Sequence, residues 1–558
     1  MIRKRTIGIL AALGGTTVAL ALLVGVPAAK ADDTNLQANP ELLQRIDQLA
    51  QVGTAKPQVP PGTATSAGSF PRSFLIPGTD TSLLVGGQLE LDAGYWFSGG
   101  NNNNVGAGSP IAGVPGLSGV PLNFPGNTAK SRTNGIFNAS VYASRLHVET
   151  RTPTAYGQAQ TVLEFDFLGC SLGGIDCNNT VAGNDGLGAR LRLAYGTLGP
   201  FAAGQMWNPA ADLASFPEVL DLGCCAGLFG VGRMPEAVYT AEVPPIAGLP
   251  PSTFAFALLD PEDSAANANG ETLTNNTNLV SAIGIPGNPL VLGTTNAAGI
   301  LNINGGSNQA IGTNPLKTEW PDPEFAWTWQ QPWGHFQLHG VVHQAALVDG
   351  AHIDQQYIGY GGGFSGDVKP GWLGWQKDDI GFGAWAGNGL GRYAGGGGAG
   401  NYFPYLATNY GNPVGPLGGT TGNPCGYGHA GVPSVGPGSA ACAAGVRAQT
   451  IPEWGGEIWY QHWWTPTIRS TVDFGVTHQD VATALVGGLA AATAAGGSTG
   501  GAAVSGINKE LVNVHVNLLW SPVPFINTGF EYLYGHRQTI FNQKGDENIL
   551  EYSFITKF

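Results

Sequence analysis

The chain has 558 residues, 87 of them glycine, with 9% aromatic residues, a net charge of −14 and only 11% charged residues, against a usual ~25%. The acidic balance argues against a nucleic-acid surface, which needs a basic footprint. No segment past the N-terminal leader holds the ~20 consecutive apolar residues of a transmembrane helix, so any membrane crossing by the remainder falls to strands.

Met1 to Arg5 is basic, Ile7 to Val26 is apolar, and Pro27-Ala28-Ala29-Lys30-Ala31 ends in an Ala-x-Ala pattern. This predicts a secretory signal over residues 1–31, cleaved after Ala31; the bland alternative is a retained anchor. Removing Arg3, Lys4, Arg5 and Lys30 takes the net charge from −14 to −18. In residues 32–80, Asn39-Pro40-Glu41 reads as a helix start. Leu42, Leu43, Ile46, Leu49 and Val52 follow at helical spacing. The stripe is too short to be stable alone and predicts a short periplasmic helix that oligomerises. Lys56 to Pro77 reads as a linker.

Residues 81–558 show sixteen strand-like segments, at about 83–97, 134–151, 157–168, 188–197, 201–208, 233–242, 252–260, 324–331, 334–347, 355–365, 372–388, 448–463, 467–480, 508–520, 525–538 and 548–558. Successive side chains of a strand point to opposite faces. Arg145, Arg151, Glu164, Asp166, Arg190 and Arg192 therefore share a wall, and the opposite wall is apolar. Val512, Val514 and Val516 likewise oppose Asn513, His515 and Asn517. A soluble sandwich would bury the apolar wall, whereas a membrane barrel turns it to lipid and keeps the charges in a wet lumen.

The connections alternate in length. Short ones carry Pro153, Pro200, Pro244, Pro332, Pro370, Pro466 and Pro522, and long ones, such as 98–133, 169–187, 209–232, 261–323, 389–447 and 481–507, are rich in Gly, Asn and Ala. Short turns at one end and long loops at the other, on an even strand count, are the barrel arrangement. Trp96, Trp207, Trp327, Trp329, Trp333, Trp454, Trp459, Trp463 and Trp520 fall near strand ends, as interfacial belts require. The last strand closes on Tyr552, Phe554 and the terminal Phe558, resembling the signature of outer-membrane barrels. The expected fold is an all-β, 16-stranded antiparallel transmembrane β-barrel in the outer membrane of a Gram-negative bacterium, preceded by the short helix.

Cys170 and Cys177 share one loop, Cys425 and Cys442 another, and Cys224 and Cys225 are adjacent. Six cysteines allow fifteen pairings; local pairing is the simplest, and no neighbouring ligands support a metal reading. No cofactor is expected. Gly387-x-Gly389-x-Gly391 lacks the helix and acid of a dinucleotide site, and no nucleophile elbow is present.

Many short motifs also resemble the DcaP-like trimeric porins of Gram-negative outer membranes. Among them are Ser144-Arg145 before Thr152-Pro153-Thr154, Glu164-Phe165-Asp166-Phe167, and Arg190-Leu191-Arg192-Leu193-Ala194-Tyr195-Gly196 with Gly204-Gln205-Met206-Trp207. Arg233-Met234-Pro235, Lys377-Asp378-Asp379, Tyr460-Gln461-His462, Arg469-Ser470-Thr471 and Trp520-Ser521-Pro522 continue the likeness. The resemblance covers most of residues 81–558 and implies a homotrimer, with a periplasmic helical extension, that conducts small anionic solutes such as dicarboxylates. The chain departs from the pattern in its short helix, its cysteines and the expanded loops 261–323 and 389–447.

An arginine facing lipid at midplane would cost ~2–4 kcal/mol, so those in strands face the lumen. Arg145, Arg190, Arg192, Arg233, Arg469 and Arg537, with Glu164 and Asp166, are the candidate pore residues; the bland alternative is lumen structure, paired to Glu149, Glu164, Asp166, Asp473 and Glu531. Arg145, Arg190 and Arg192 are the expected dicarboxylate site. The loop from Asn208 to Gly232 is the third long one, the position that folds inward in porins. It is expected to set Asp212, Glu218 and Asp221 opposite basic strand residues across a constriction. His335, His339 and His343 recur every fourth residue, too far apart on a strand for one metal, and are expected to line the lumen. The competing readings are a structural or adhesive barrel, or a barrel enzyme, plugged by the long loops.

Overall fold

The structure, a computed structural model, describes residues 67–99, 134–167, 189–220, 225–230, 232–245, 250–260, 316–317, 320–348, 354–371, 377–390, 393–394, 402–406, 446–480, 508–539 and 544–558. Within these, one antiparallel sheet closes into a sixteen-stranded barrel. Its strands are β1 (Ser82–Ser98), β2 (Ile136–Ser140 and Arg145–Thr154), β3 (Gly157–Asp166), β4 (Arg190–Leu198), β5 (Phe201–Trp207), β6 (Arg233–Val243), β7 (Ser252–Leu259) and β8 (Asp322–Gln331). They continue with β9 (Gly334–Val348), β10 (Asp354–Val368), β11 (Asp379–Asn388), β12 (Pro452–Trp463), β13 (Ile468–Gln479), β14 (Asn508–Val523), β15 (Ile526–Thr539) and β16 (Lys544–Lys557). β1 and β16 seal the barrel from Gln88↔Lys557 to Trp96↔Ile549. All sixteen predicted strands are present.

The burial pattern inverts that of a soluble protein. Glu90, Asp92, Glu149, Asp166, Asp473, Asn513, His515 and Glu531 are buried inside, while Leu89, Leu91, Phe97, Leu163, Phe474, Leu518 and Phe530 are exposed on the outside. Only a lipid-facing exterior accounts for that arrangement. Not every predicted belt residue belongs to the exterior. Trp333, Trp454 and Trp520 do, but Trp96 and Trp459 are 2% exposed and point inward.

Two irregularities re-aim side chains. β1 pairs Asp92↔Ser140 above and Gln88↔Arg145 below, so one extra residue of β2 lies in the break between its halves. The break reverses the parity of β2 and turns Arg145 inward; Ser144 secures it, its Oγ accepting the Glu90 N–H at 3.0 Å. On β4, Glu164↔Leu193 and Phe165↔Leu191 leave Arg192 as the extra residue of a bulge.

The predicted N-terminal helix lies outside the described residues. The end of the predicted linker, however, is part of the barrel mouth. Ala67 bridges to Phe74, Phe74 and Leu75 pair with Leu83 and Ser82, and the Phe70 ring lies 4.3 Å from the Arg151 guanidinium.

Candidate functional site

The loop after β5 folds into the barrel, and its backbone is taken up by polar side chains of the far wall. Glu324 of β8 accepts the Ala210 N–H and Asn208 Nδ2–H, both at 2.8 Å. Asp212 Oδ2 lies 2.7 Å from His335 Nε2 on β9 and accepts Ser365 Oγ–H of β10 at 2.6 Å. Trp459 of β12 donates its indole N–H to the Ser215 carbonyl at 2.6 Å. Glu531 of β15 accepts the Leu220 N–H through both oxygens, at 3.0 and 3.1 Å. Asn513 of β14 accepts the Ala226 N–H at 2.7 Å, and Glu457 of β12 accepts the Gly227 N–H at 2.8 Å. These anchors run over β8 to β15, half of the barrel wall.

Apolar packing completes the seat. Ala210 and Phe229 of the loop join Met206, Met234, Val341, Trp385, Leu390 and Tyr393 in one buried cluster. The Phe229 ring stacks on His339 with centroids 4.8 Å apart. His335 and His343 are buried beside Asp367 and Asp322; the three histidines face the interior, but they are packed under their partners rather than exposed to the lumen as expected.

The predicted inward fold of the loop is therefore present, but its carboxylates are tethers rather than the free side of a transverse field. Glu218 is bonded directly to Arg469 and to Gln461, and Asp212 to His335 and Ser365. Asp221 lies outside the described residues. Arg469, expected to meet solute, is instead committed to Glu218. Arg537 is buried on β15.

The remaining arginines gather on β2, β4 and β6, away from the anchors just described. Arg190 forms a two-pronged pair with Asp166 (3.0 and 2.5 Å), and Arg192 pairs with Glu164 at 2.7 Å and Asp166 at 3.0 Å. Here the bland pairing holds, as it does for Arg151 with Glu149 at 2.5 Å. For Asp473 and Glu531 it does not, because Asp473 takes His515 at 2.8 Å and Glu531 holds the loop. Arg145 and Arg233 are different. Among the described residues neither guanidinium has a hydrogen bond or an ion pair; Arg145 Nε is buried without a partner, and Arg233 lies 4.7 Å from the Trp207 ring centroid. Arg233 is within electrostatic reach of Arg145, Arg190 and Arg192. Four guanidinia thus share one patch of lumen, two of them ion-paired and two without a hydrogen-bonded carboxylate, with Glu90, Glu164 and Asp166 within electrostatic reach of Arg145.

Cys225 is disulfide-bonded; Cys170, Cys177, Cys224, Cys425 and Cys442 lie outside the described residues. Cys225, Glu457 and Asp473 converge within 4.8 Å, but a disulfide sulfur is no thiolate ligand.

Sequence reasoning missed the wall acceptors Glu324, Glu457 and Asn513 and the donors Trp385, Trp459, Thr477 and Asn517. A signal was available. Glu324 and Glu457 are inward acids without a basic residue opposite them in register (Val341 and Ala257; Gly383 and Gly475), so their charge had to be met by another segment.

No protein-family model matches the chain, and no curated protein matches it. Among solved structures, it is similar to the outer-membrane channel DcaP of Acinetobacter baumannii, with a TM-score of 0.54 and 15% identity over 88% of this chain and all of that one. The anion-selective porin of Comamonas acidovorans (TM-score 0.43, 8% identity, 86% of this chain and 100% of that one) and OprB of Pseudomonas putida (0.42, 8%, 85% and 94%) also match. The resemblance to the DcaP channel holds for the fold. A closed barrel of this kind belongs in the outer membrane of a Gram-negative bacterium.

Proposed function

We propose that the protein is a porin through which small polar anions of dicarboxylate size diffuse, narrowed by the loop after β5. The observation that carries the reading is the patch of four guanidinia, in which neither Arg145 nor Arg233 is hydrogen-bonded to a carboxylate. A water-filled lumen in which arginines outnumber the carboxylates bonded to them raises the local concentration of anions, even though the chain as a whole is acidic. Guanidinium forks bind carboxylates in two-pronged fashion, so a solute with two carboxylates can engage Arg145 and Arg233 together. This moves the expected site from Arg190 and Arg192, which Glu164 and Asp166 already occupy. The apolar exterior supports contact with membrane lipid and with two further copies in a homotrimer. The short helix within residues 32–80 would then be the periplasmic oligomerising element.

Reversal potentials in a salt gradient across a planar bilayer test the reading. Wild-type protein should prefer anions, and Arg145→Ala with Arg233→Ala should remove most of that preference. Cation preference in the wild type, or selectivity untouched by the double change, would sink it.

A further inference from the structure

The seam that closes the barrel carries a cation outside the arginine patch. Lys557 is the last residue of β16, and its backbone is fixed on both sides. Its N–H donates to the Phe525 carbonyl at 2.8 Å, and the adjoining Phe558 exchanges two hydrogen bonds of 3.1 Å with Gly87. Gly545, Glu547, Ile549, Glu551 and Ser553, which share the parity of Lys557, are all buried on the inner face of β16. The Lys557 side chain therefore enters the lumen, where it remains half-buried.

Register sets it in line with the arginines. Lys557 pairs with Gln88, Gln88 with Arg145, Arg145 with Asp166 and Asp166 with Arg190, a single row across β16, β1, β2, β3 and β4. Adjacent strands lie ~4.8 Å apart, so the backbones of Lys557 and Arg145 are ~10 Å apart, with the neutral Gln88 between them. Lys557 is within electrostatic reach of Arg145 and Glu90 on this wall and of Glu218 and Arg469 on the constriction-loop side. It thus borders the gap between wall and loop. Both acids near it are held by other groups. Glu90 Oε2 accepts Gln88 Nε2–H at 2.5 Å, and Glu218 is committed to Arg469 and Gln461. Among the described residues the Lys557 ammonium has neither a hydrogen bond nor an ion pair. A lysine that only tied the seam shut would be paired to one of these acids.

We infer that Lys557 is a solute-contacting residue that sets specificity: with Arg145 it forms a two-cation step on the wall facing the constriction loop, where a small dicarboxylate is held by one carboxylate at each cation. The step deepens the porin reading and rests on it. The flexible four-carbon stem of lysine lets its ammonium swing toward Arg145. Once one carboxylate is bound, the other meets the second cation at a high effective concentration. A monocarboxylate engages one cation at a time and gains nothing from the pair. Because β16 ends at the short-turn end of the barrel, Lys557 takes the solute after the arginine patch.

Two measurements on the full-length protein test the step. The first leaves the sequence untouched. Protein in detergent is labelled with trinitrobenzenesulfonate, an anionic amine reagent, over a succinate series, and the rate at Lys557 is followed by mass mapping. Lys369, in the turn after β10 and 3.5 Å from Asp367, is the reference. Succinate at ten times its half-effective concentration should slow labelling of Lys557 about tenfold, while Lys369 is unaffected and acetate at matched ionic strength does far less. The second measurement is block of chloride current in a planar bilayer. The half-blocking concentration of succinate should rise about fivefold in Lys557→Gln, the weight of one unit charge ~4 Å away in water. That of acetate should move little, and Lys557→Arg should behave as wild type. Labelling of Lys557 that ignores succinate, or equal half-blocking concentrations in the wild type and a folded Lys557→Gln, would overturn the inference. Should Lys557→Gln not assemble, the labelling alone decides. Labelling slowed by succinate in a protein that passes no current would support the two-cation step and refute the porin reading alone.

Discussion

Glu218 of the constriction loop and Arg469 of β13, 251 residues apart in the chain, form an ion pair with Oε2 2.5 Å from Nε. Ser521 Oγ and Asn527 Oδ1 take up further guanidinium N–H groups, at 2.9 and 3.3 Å. Asn517 Nδ2 also donates to the Glu218 carbonyl at 2.8 Å. The middle of the loop is thus fixed to β13 and β14 through both its side chain and its backbone.

Glu218→Ala should weaken this docking by about 2–3 kcal/mol, because it leaves a buried guanidinium with neutral acceptors only. The expected result is a higher mean conductance with added open-channel noise, while the anion preference survives because the arginine patch on β2, β4 and β6 is untouched. Single-channel recordings check both parts. Unchanged current noise would mean that the remaining anchors hold the loop without this pair.

The turn before β11 offers a pH-dependent prediction outside the membrane-spanning strands. Asp378 Oδ1 accepts the Trp463 N–H at 3.1 Å, and its Oδ2 accepts the Tyr460 hydroxyl at 2.6 Å and lies 2.7 Å from His462 Nδ1. Burial works to raise this carboxyl, but the hydrogen bonds from Tyr460, His462 and Trp463 prevail and hold it below the usual carboxylate value. A lowered value in the folded state means that the stabilisation is present above the ordinary ~3.9 and is lost as pH falls through the lowered value. Asp378→Asn should cost about 1–2 kcal/mol at neutral pH, and the gap to wild type should close on acidification. Denaturant midpoints at neutral and strongly acidic pH measure it; a constant gap would show that charge is irrelevant to this anchor.

Strand count and polarity were legible because each rests on local sequence, and the inward loop because its place as the third long connection matches what the porin resemblance implies. Val512, Val514 and Val516 against Asn513, His515 and Asn517 fix the faces of β14 from six residues, since a strand has a period of two. What holds the loop was not legible, because Gly227 and Glu457 are 230 positions apart and nothing in either neighbourhood names the other. Nor did alternation reveal the break that turns Arg145 inward or the bulge at Arg192. Such irregularities exist only relative to a partner strand. Trp96 and Trp459 failed as belt residues although their parity, shared with Glu90 and Asp92 and with Glu453 and Glu457, turns them inward. Position near a strand end was read correctly, but the face was not, and Trp459 spends its indole N–H on the loop.

The N-terminal boundary also moves. Phe70 sits under the Arg151 guanidinium, which Glu149 holds at 2.5 Å, and Ser82 Oγ accepts the Ser69 N–H at 2.8 Å. Deleting residues 32–66 should therefore leave the barrel intact, whereas extending the deletion to 72 should lower its stability. The extension removes both a cation–π contact of ~0.5–2 kcal/mol and the bridge at Ala67. Heat-modifiable migration on gels, compared for the two deletions, distinguishes them. Equal melting would return residues 67–75 to the linker.

Asp166 is the residue whose removal should strengthen the proposed selectivity. It lies between two arginine-bearing strands, opposite Arg145 on β2 and Arg190 on β4. It takes both Arg190 and Arg192. Its charge therefore cancels part of the patch that Arg145 and Arg233 leave open. Asp166→Asn keeps an acceptor for one guanidinium and adds one net positive charge to the lumen. Unit charges ~8 Å apart in water interact by ~0.5 kcal/mol, so the anion-to-cation permeability ratio should rise about twofold, and Arg145→Ala should lower it by a similar factor. The two changes combined should nearly cancel, because they alter the same field with opposite sign. Reversal potentials on the two single variants and the double variant, each checked for a folded barrel by its migration on gels, give the three numbers. A fall in anion preference for Asp166→Asn would mean that Asp166 serves to hold Arg190 and Arg192 in place for the solute rather than to neutralise them, and would return those two arginines to the centre of the site.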